Sequence, residues 1–419
     1  MQCDRYPFGR TESLAEDAIV ATFVTYGIGY EAILDKAGAF AVGQTVGTWV
    51  KVPGVSEKMV ERYQGRVLSV YQAGLDAEGA CAHFVLRVAF PVANFGNSLT
   101  MLLTALLGND VSTALRARLV DIELLGNAVD SFSGPQMGIA ELRRLTGVTD
   151  RPLVLNMIKP CAGFTPQEGA TFFHEVAMGG VDMIKDDELL ASPAYNEVGA
   201  RYRAYVAAAT DVFERTGHQP LYLPNLSGTP SHLMESARAL VEAGGKACLV
   251  NFVFGGPDAL RELCDAFGDK LFIMAHYAGV GALGAYDCGV ENAVFLGTLP
   301  RLAGAHAVMT MAPPPDNPRA LYDFRRTVQA QRLPMGNIAP LVTTVGGGVT
   351  PISQACMQRE LGQDTIIGIG GAIQGHPMGA TAGAQAAMAA VKATAAGVSL
   401  RQAAAGCEPL AAAMEQWGE

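Results

Sequence analysis

Several features of membrane and secreted proteins are absent from this sequence. No apolar run approaches the length needed to span a bilayer, and residues 1–7 contain no apolar stretch typical of a secretory signal. The eight cysteines are scattered and include no CxxC pair, which is typical of reduced thiols and not of a disulfide framework. We therefore expect a cytoplasmic protein.

Positive charge is also scarce. Lysine and arginine together number 30 against 40 aspartates and glutamates, so the formal net charge is −10. This balance argues against nucleic acid or an anionic membrane as a partner. An anionic substrate has to be held by a local site, because the overall field repels it. Half of the 419 residues are hydrophobic, which is enough for a large core in two domains or in one barrel with an appendage.

The first third of the chain mixes strand-like and helix-like segments. Apolar runs predict strands at 18–26, 66–72, 82–90 and 119–124, and helices at 30–42 and 97–107. Strands grouped with a small number of helices are typical of an α+β domain. We assign residues 1–135 to an α+β domain of the ferredoxin-like kind.

From about residue 150 the pattern becomes a regular alternation of strands and helices. The predicted strands are 153–158, 181–185, 221–225, 247–252, 271–276, 307–311, 339–344 and 365–370. Each is followed by a segment with helical periodicity, and a last alanine-rich helix is predicted at 399–416. Eight such units in about 250 residues predict a (β/α)₈ TIM barrel, which we place at 136–419. An open doubly wound sheet is the alternative.

Chemically useful side chains stand where the predicted strands end. They are Lys159, Lys185, Asp187, Glu188, Asn225, Asn251, His276, Thr344 and the glycines at 346–348, 370 and 371. In a barrel the carboxyl ends of the strands meet on one rim, so we expect these groups to converge. Lys185 and Asp187 share one face of their strand, and oxygen ligands at this density suit Mg²⁺, although a solvated acidic turn is the alternative. Glycine amides after the last two strands predict a phosphate site.

Six short segments spread over nearly the whole chain occur in a specific order. They are Gly47-Thr48-Trp49, Asn109, Ile158-Lys159-Pro160, Lys185-Asp186-Asp187-Glu188, His276 and residues 370–377, which read GGAIQGHP. Together they resemble the large subunit of ribulose-bisphosphate carboxylase (RuBisCO), and more closely its non-carboxylating relatives, the RuBisCO-like proteins.

The resemblance implies a cofactor, an oligomeric state and several residue roles. It implies a homodimer, or an assembly of dimers, in which the N-terminal domain of one subunit completes the active site of the other. It also implies that Lys185 reacts with CO₂ to form a carbamate, which binds Mg²⁺ together with Asp187 and Glu188. Lys159 matches a lysine that moves protons during enolisation, a task for which burial or the nearby metal must lower its pKa. The other catalytic candidates are Asn109 and His276, of which His276 also fits a core histidine.

The chain departs from the carboxylases in the second half of the barrel. The loop after the sixth strand has no lysine or arginine before Arg319, whereas carboxylases need a lysine there to hold CO₂. Tyr277 and Met309 stand where carboxylases use an arginine and a histidine for a second phosphate. We therefore expect no CO₂ fixation and a substrate with one phosphate, whose other end is short or apolar and lies toward Tyr277 and Met309. The candidates for binding the phosphate or the rest of the substrate are Thr48, Trp49, Thr344, Gly346, Gly347, Gly370 and Gly371.

The matched residues predict Mg²⁺-stabilised enolate chemistry on a phosphorylated keto sugar or keto-acid sugar. The enolases of methionine salvage share the phrases at 43–49 and 273–276, but they use a lysine where Asn109 stands, and asparagine cannot be a general base. We therefore favour a lyase that decarboxylates a substrate of the 3-oxo-isoapionate 4-phosphate type. One alternative is an isomerase or enolase acting on a methylthiopentulose 1-phosphate type of substrate. Another is a non-catalytic regulatory homologue, which the intact metal-site sequence disfavours.

Overall fold

Two sheets organise the chain. The computed structural model describes residues 17–27, 29–47, 53–75, 82–284, 288–314 and 316–418. A four-stranded antiparallel sheet comes first, and an eight-stranded parallel sheet follows.

The N-terminal part follows a β-α-β-β-α-β sequence with one extra short helix. Its elements are β1 (Ala18–Gly27), α1 (Tyr30–Gly43), α2 (Glu57–Tyr63), β2 (Arg66–Leu75), β3 (Ala82–Pro91), α3 (Leu99–Leu107) and β4 (Arg118–Leu125). The strand order β2-β3-β1-β4 places β1 and β3 in the centre of the sheet. This is the ferredoxin-like arrangement, so the predicted α+β fold is confirmed.

Alternation along β1 decides which face of this sheet is covered. Ile19 and Phe23 point to the same side and are fully buried. Phe40 of α1 packs edge-on against Phe23, with ring centroids 5.3 Å apart, and it also contacts Phe90 of β3. The two longer helices therefore lie on one face of the sheet and bury its apolar side.

Asp258 fastens this sheet domain to the barrel. Its carboxylate accepts the backbone N–H groups of Leu99 and Thr100 at 3.0 Å each, and the Ser98 hydroxyl at 2.8 Å. Burial raises the pKa of Asp258, but these hydrogen bonds outweigh it and the net pKa is lowered. A negative charge at the N-terminus of α3 also suits the helix dipole. The contact sets how the N-terminal domain sits against the barrel.

The barrel contains eight parallel strands. They are β5 (Leu153–Met157), β6 (Met183–Lys185), β7 (Leu221–Leu223), β8 (Ala247–Asn251), β9 (Phe272–His276), β10 (Ala307–Met311), β11 (Val342–Gly346) and β12 (Thr365–Ile369). The sheet order is β7-β6-β5-β12-β11-β10-β9-β8. Asn225, just after β7, bridges to Leu249 of β8 and closes the ring. The predicted barrel is confirmed, and the open doubly wound sheet is excluded.

Helices surround the barrel and connect its strands. They are α4 (Ile139–Thr146), α5 (Pro166–Met178), α6 (Val198–Thr216), α7 (Pro230–Glu242), α8 (Phe252–Gly255), α9 (Pro257–Phe267), α10 (Val280–Gly284), α11 (Leu299–Ala303), α12 (Pro318–Arg332), α13 (Gln354–Leu361), α14 (Gly371–Gln374), α15 (Ala380–Ala395), α16 (Leu400–Ala404) and α17 (Glu408–Trp417). Among the described helices, none is long and apolar enough to cross a membrane.

Alternate residues of each strand point into the barrel. Leu155, Met183 and Leu249 belong to this interior set, which forms one apolar cluster. Leu142 of α4 belongs to the same cluster, so α4 contributes to the packed interior of the barrel. The residues between them, such as Val154 and Ile184, pack outward against the helices. At the carboxyl ends of β6, β8 and β9 the inward positions are the polar residues Lys185, Asn251 and His276, which is where the candidate site begins.

Some element boundaries differ from those expected from the sequence. The seventh barrel strand was predicted at 339–344 and runs over Val342–Gly346, because 339–341 belong to the connection that precedes it. The predicted final helix, 399–416, is two helices, α16 and α17, separated around Gly406. The sequence pattern also missed α2 and α4, which are seven and eight residues long. Helices of about two turns carry too few repeats for a periodic signal.

Candidate active site

The residues at the end of β6 alternate between the barrel interior and the surrounding helices. Lys185 points inward and is fully buried, Asp186 points outward, and Asp187 is again buried on the inner side. The Lys185 ammonium donates to the Asp186 carbonyl at 3.0 Å and lies 3.6 Å from Glu188 Oε2. Burial lowers the pKa of Lys185, while the charges of Glu188 and Asp187 oppose that change. A neutral amine is therefore more accessible at Lys185 than at an exposed lysine.

Asp186 anchors the segment from behind. Arg201 of α6 contacts its carboxylate with Nε at 3.0 Å and Nη2 at 2.9 Å, and both side chains are completely buried. The carboxylate also accepts the Tyr222 hydroxyl and the Asn225 backbone N–H, each at 2.8 Å. Burial lowers the pKa of Arg201, but the charge of Asp186 outweighs it and the net pKa is raised. Sequence reasoning missed Arg201, because an arginine in an amphipathic helix gives no sign that it faces inward.

Lys159 and Asp187 form an ion pair across the ends of two neighbouring strands. The Lys159 ammonium lies 2.5 Å from Asp187 Oδ2 and 3.1 Å from the sulfur of Cys161. Burial lowers the pKa of Lys159, but the hydrogen bonds and charge of Asp187 outweigh it and the net pKa is raised. The sequence argument required a lowered pKa at Lys159. In this arrangement Lys159 is instead held as a protonated acid.

Glu188 and His276 face each other on the same rim. His276 Nδ1 accepts the Ala278 backbone N–H at 3.2 Å, so the proton of the neutral ring lies on Nε2. That nitrogen is 3.4 Å from Glu188 Oε2. Burial, followed by the charge of Lys185, lowers the pKa of His276 to about 2. His276 is thus a neutral donor aimed at the Glu188 carboxylate, and its ring stacks on Tyr277 with centroids 4.6 Å apart.

Two asparagines hold the backbone that carries these carboxylates. Asn225 Nδ2 lies 3.2 Å from the carbonyls of Asp187 and Glu188, and Asn251 Nδ2 donates to the Glu188 carbonyl at 2.9 Å. The side-chain oxygen of Asn251 is buried and accepts no hydrogen bond from the described residues. Both asparagines were predicted at the rim, and the structure gives them a positioning role.

These groups surround a cavity of about 500 Å³ at the carboxyl end of the barrel. Lys159, Lys185, Glu188 and His276 line one side of it, and the glycines 347, 348, 370 and 371 line another. Gly347 and Gly348 have positive φ angles of 85° and 71°, a conformation that favours glycine. A Cβ on Gly347 would lie 3.3 Å from Met311, so the position also needs the space. Backbone amides exposed in this way suit an anion.

Two of the predicted phosphate ligands lie beneath this cavity. Thr344 is fully buried, and its hydroxyl has no hydrogen-bond partner among the described residues. Gly346 is buried as well, and a Cβ there would come within 2.6 Å of the Met309 methyl group. Gly347, Gly370 and Gly371 line the cavity, whereas Thr344 and Gly346 are not among its lining residues.

The remaining predicted residues belong to the N-terminal domain. Asn109 is exposed, and its carbonyl accepts the hydroxyls of Ser112 and Thr113. It does not line the cavity of its own chain. Thr48 and Trp49 lie outside the described residues.

With Lys185 unmodified, Asp187 and Glu188 supply only part of the oxygen ligands that a hard divalent cation needs. Asp187 and Glu188 present carboxylates beside the Lys185 amine, and oxygen ligands are those that Mg²⁺ prefers. Within the described part of the chain, no group of three His, Cys, Asp or Glu side chains is placed to hold a metal. A carbamate on Lys185 adds a third anionic oxygen ligand to the two carboxylates, so the residues fit the group that the resemblance implies.

The C-terminal helix also reaches the cavity, which the sequence did not suggest. Gln416 and Trp417, in the last turn of α17, line it together with Gly375. His376 is buried and joins the 370–377 segment to α17, since its Nε2 lies 2.9 Å from the Pro409 carbonyl. Nothing in the sequence indicates that a tryptophan in the C-terminal helix reaches a site whose other residues come from much earlier in the chain.

Comparison with known proteins gives matches along almost the entire chain. Residues 138–417 match the catalytic domain of the ribulose bisphosphate carboxylase large chain, and residues 12–125 match its N-terminal domain. A ribulose bisphosphate carboxylase-like protein from Archaeoglobus fulgidus is 36% identical over 359 residues, which cover 84% of this chain and 82% of that protein.

Two further relatives have more specific names and match nearly the whole chain. A 2,3-diketo-5-methylthiopentyl-1-phosphate enolase from Geobacillus thermodenitrificans is 32% identical over 412 residues, covering 96% of this chain and 98% of that protein. The crystal structure of a rubisco-like protein (MtnW) from Alicyclobacillus acidocaldarius superposes with a TM-score of 0.86 at 33% identity, covering 96% of this chain and all of that one.

Proposed function

Because this chain belongs to the ribulose bisphosphate carboxylase large-chain family, as a RuBisCO-like protein, we propose that it enolises a phosphorylated ketone with the help of Mg²⁺ and does not fix CO₂. The observation that carries the proposal is the convergence of Lys159, Lys185 and Glu188 on one cavity, with Asp187 paired to Lys159 behind its lining. A glycine-lined wall suited to a phosphate faces them.

Lys185, Asp187 and Glu188 are the residues that would hold the metal. The buried amine of Lys185, with its lowered pKa, attacks the carbon of CO₂ and loses a proton, and a carbamate results. When bound, Mg²⁺ supplies a positive charge that stabilises the negative oxygen of an enolate. Arg201 holds the segment in place by pairing with Asp186, so the inward side chains keep their direction.

Lys159 is the proton carrier in this proposal. Its ammonium is polarised by Asp187 and lines the cavity. In its neutral form it takes the proton from the carbon beside the carbonyl, and the resulting ammonium returns a proton to the enolate oxygen, so that one proton leaves carbon and one reaches oxygen in each turnover. His276 is neutral, and its Nε2, which carries the ring proton, lies 3.4 Å from Glu188 Oε2 on the same rim.

For the finer reaction we propose the enolase alternative in place of decarboxylation, with a 2,3-diketone 1-phosphate as the substrate where the sequence suggested a methylthiopentulose 1-phosphate type. Relatives that cover 96% of this chain are named for that reaction, which supports the enolase. In such a diketone the hydrogens beside the carbonyls, at carbon 1 and carbon 4, are the acidic ones. Removing one of them produces an enolate without breaking a carbon–carbon bond.

A second cavity supports an uncharged tail on the substrate. It has a volume of about 480 Å³ and shares Tyr277 with the catalytic cavity. Val280, Leu296, Met311 and Pro313 line it, and Asp323 is the only charged side chain among the described residues that do so. A second phosphate would find no cation there and would lose hydration without compensation. An apolar tail such as a thioether chain gains from burial in the same place.

Decarboxylation remains the second candidate because of one residue. Asn109 cannot act as a general base, and a decarboxylase needs no base to break the carbon–carbon bond. In that reaction the enolate forms as CO₂ leaves, and Lys159 supplies the proton that replaces it.

We further propose that the site is completed by a second copy of the chain. Asn109 is exposed and lies outside the cavity of its own subunit, which is consistent with a role in a neighbouring one. In this arrangement Asn109 of one subunit approaches the rim of the other.

One experiment separates the two reactions. The protein, treated with Mg²⁺ and CO₂, is incubated in D₂O with a 2,3-diketoalkyl 1-phosphate and, separately, with a β-keto-acid sugar phosphate. Deuterium uptake is followed by NMR and CO₂ release by a coupled assay. Deuterium in the diketone without CO₂ release is the expected result. Release of CO₂ from the keto acid, with no exchange in the diketone, would establish the decarboxylase instead, and neither signal would refute the proposal.

A further inference from the structure

The C-terminal helix α17 is held against the segment that forms the glycine wall of the cavity. Leu410 and Ala413 of α17 are fully buried against Ala386 and Ala390 of α15. α15 follows the 370–377 segment closely in the chain, so the packing of α17 on α15 also holds α17 near that segment. The last turn of α17 is therefore placed by a core and is not a loose end.

His376 adds a second attachment between the wall and the helix. Its Nδ1 accepts the Met378 backbone N–H at 3.1 Å, so the ring proton is on Nε2 and is donated to the Pro409 carbonyl at 2.9 Å. The imidazole also contacts the indole of Trp417, with ring centroids 6.0 Å apart. Because Gly375 precedes His376 and lines the cavity, Trp417 stands beside the glycine-rich side of the site.

Trp417 differs from the glycines around it in size and in chemistry. Gly370, Gly371 and Gly375 expose backbone and provide no cover for a bound group. The indole is partly exposed, lines the same cavity, and combines a large apolar face with one N–H donor. Excluding water from an anion strengthens the hydrogen bonds that hold it.

We propose that the indole of Trp417 covers the phosphate group of the bound substrate, so that α17 is part of the phosphate site. This rests on the proposed function only in assuming that the glycine wall binds a phosphate. Trp417 is then a residue that determines affinity for the phosphorylated end, and His376 is a positioning residue that acts through it.

Inorganic phosphate is the probe that tests the proposal without any turnover. The sequence contains two tryptophans, Trp49 and Trp417, so the emission that the wild type has and Trp417→Phe lacks belongs to Trp417. Titrating both proteins with phosphate should shift this difference emission to shorter wavelength and saturate. Calorimetry on Trp417→Ala should show phosphate binding weakened by about fivefold to tenfold, and Trp417→Phe should recover most of the loss. Glu415→Gln, an exposed change in the same turn that does not line the cavity, should bind as the wild type does.

The outcomes separate this proposal from the enolase assignment. Equal phosphate affinity in Trp417→Ala and wild type would overturn it, as would a wild type that binds no phosphate or an indole emission that ignores bound phosphate. If phosphate affinity depends on Trp417 while no diketone is enolised, the enolase assignment fails and the cover on the phosphate stands. Thermal unfolding of each variant tests whether a weaker affinity reflects loss of the fold.

Discussion

Lys159 Nζ and Asp187 Oδ2 are 2.5 Å apart, although they belong to loops that follow two different strands. The adjacent parallel strands β5 and β6 bring them together, since both strands end on the same rim. The carboxylate that pairs with the proposed proton carrier is also one of the three proposed metal ligands. The charge on Lys159 and the state of the metal site are therefore linked through a single side chain.

Replacing Lys159 with methionine should remove the proton carrier and keep the cavity. We expect deuterium exchange into the substrate to fall by about 10²-fold to 10⁴-fold, the usual contribution of general acid–base catalysis. NMR of the substrate in D₂O measures this rate. Lys270→Met, a change at an exposed lysine, is the control and should exchange at the wild-type rate. Undiminished exchange in Lys159→Met would show that another group moves the proton.

Lys185→Met should abolish activation by CO₂. The wild type incubated with ¹³CO₂ and Mg²⁺ should show a carbamate carbon in its NMR spectrum, and chelation of the metal should stop enolisation. The variant should show no such carbon and should bind Mg²⁺ at least about tenfold more weakly, because one of three anionic ligands is missing. Lys392→Met, on the exposed side of α15, should behave as the wild type. A carbamate signal that persists in Lys185→Met would assign it to a different lysine.

Arg201→Met should destabilise the protein because it leaves the buried carboxylate of Asp186 without its charged partner. Breaking one side of a buried pair costs about 3–5 kcal/mol, which urea unfolding can measure. The matched control is Arg215→Met on the same helix, whose pair with Asp211 is exposed and should cost less than about 1 kcal/mol. Similar losses in the two variants would contradict the anchoring role of Arg201.

His306 should make the protein less stable in acid. The ring is fully buried, its Nδ1 accepts the Ile273 N–H at 2.9 Å, and its Nε2 has no partner among the described residues. Burial lowers the pKa of His306 from 6.5 to about 4. A lowered pKa means that the unfolded chain binds the proton more readily. The stabilising contribution is therefore complete above pH about 6.5 and is lost as the pH falls toward about 4.

The lowered pKa of His306 corresponds to a change in the free energy of unfolding of about 3 kcal/mol at most, at 1.36 kcal/mol per pKa unit. His306→Asn keeps an acceptor for Ile273 and cannot titrate, so it should unfold with a weaker dependence on pH between 4 and 6.5. Urea titrations of both proteins across that range provide the comparison, and His276, also buried with a lowered pKa, contributes equally to each. Parallel pH profiles would contradict the prediction.

The cavity beside Tyr277 should make kcat/KM depend on the length of the substrate's apolar tail. In a series of 2,3-diketoalkyl 1-phosphates, each added methylene should raise kcat/KM by about threefold to fourfold until the cavity is filled, since burying one CH₂ stabilises by about 0.8 kcal/mol. Met311→Asp should flatten this dependence by placing a charge in the lining. Met378→Asp, at an exposed methionine that lines neither cavity, should leave it unchanged. A series with no dependence on length would remove the argument for an apolar tail.

The sequence by itself determined the architecture and the position of the segment from Lys185 to Glu188. Eight apolar runs with polar ends predicted a barrel with those ends on one rim, and alternation along β6 puts Lys185 and Asp187 on the inner side. These properties follow from local periodicity, which reading along the chain detects.

Only the tertiary structure decided which groups meet. The pairing of Asp186 with Arg201, the raised pKa of Lys159, the burial of Thr344 beneath the cavity and the approach of Trp417 each depend on contacts between distant segments. A pKa depends on burial and on neighbouring charges, and both are properties of the packed molecule. For the same reason the sequence could suggest Lys159 as a proton carrier but could not show that its ammonium pairs with Asp187.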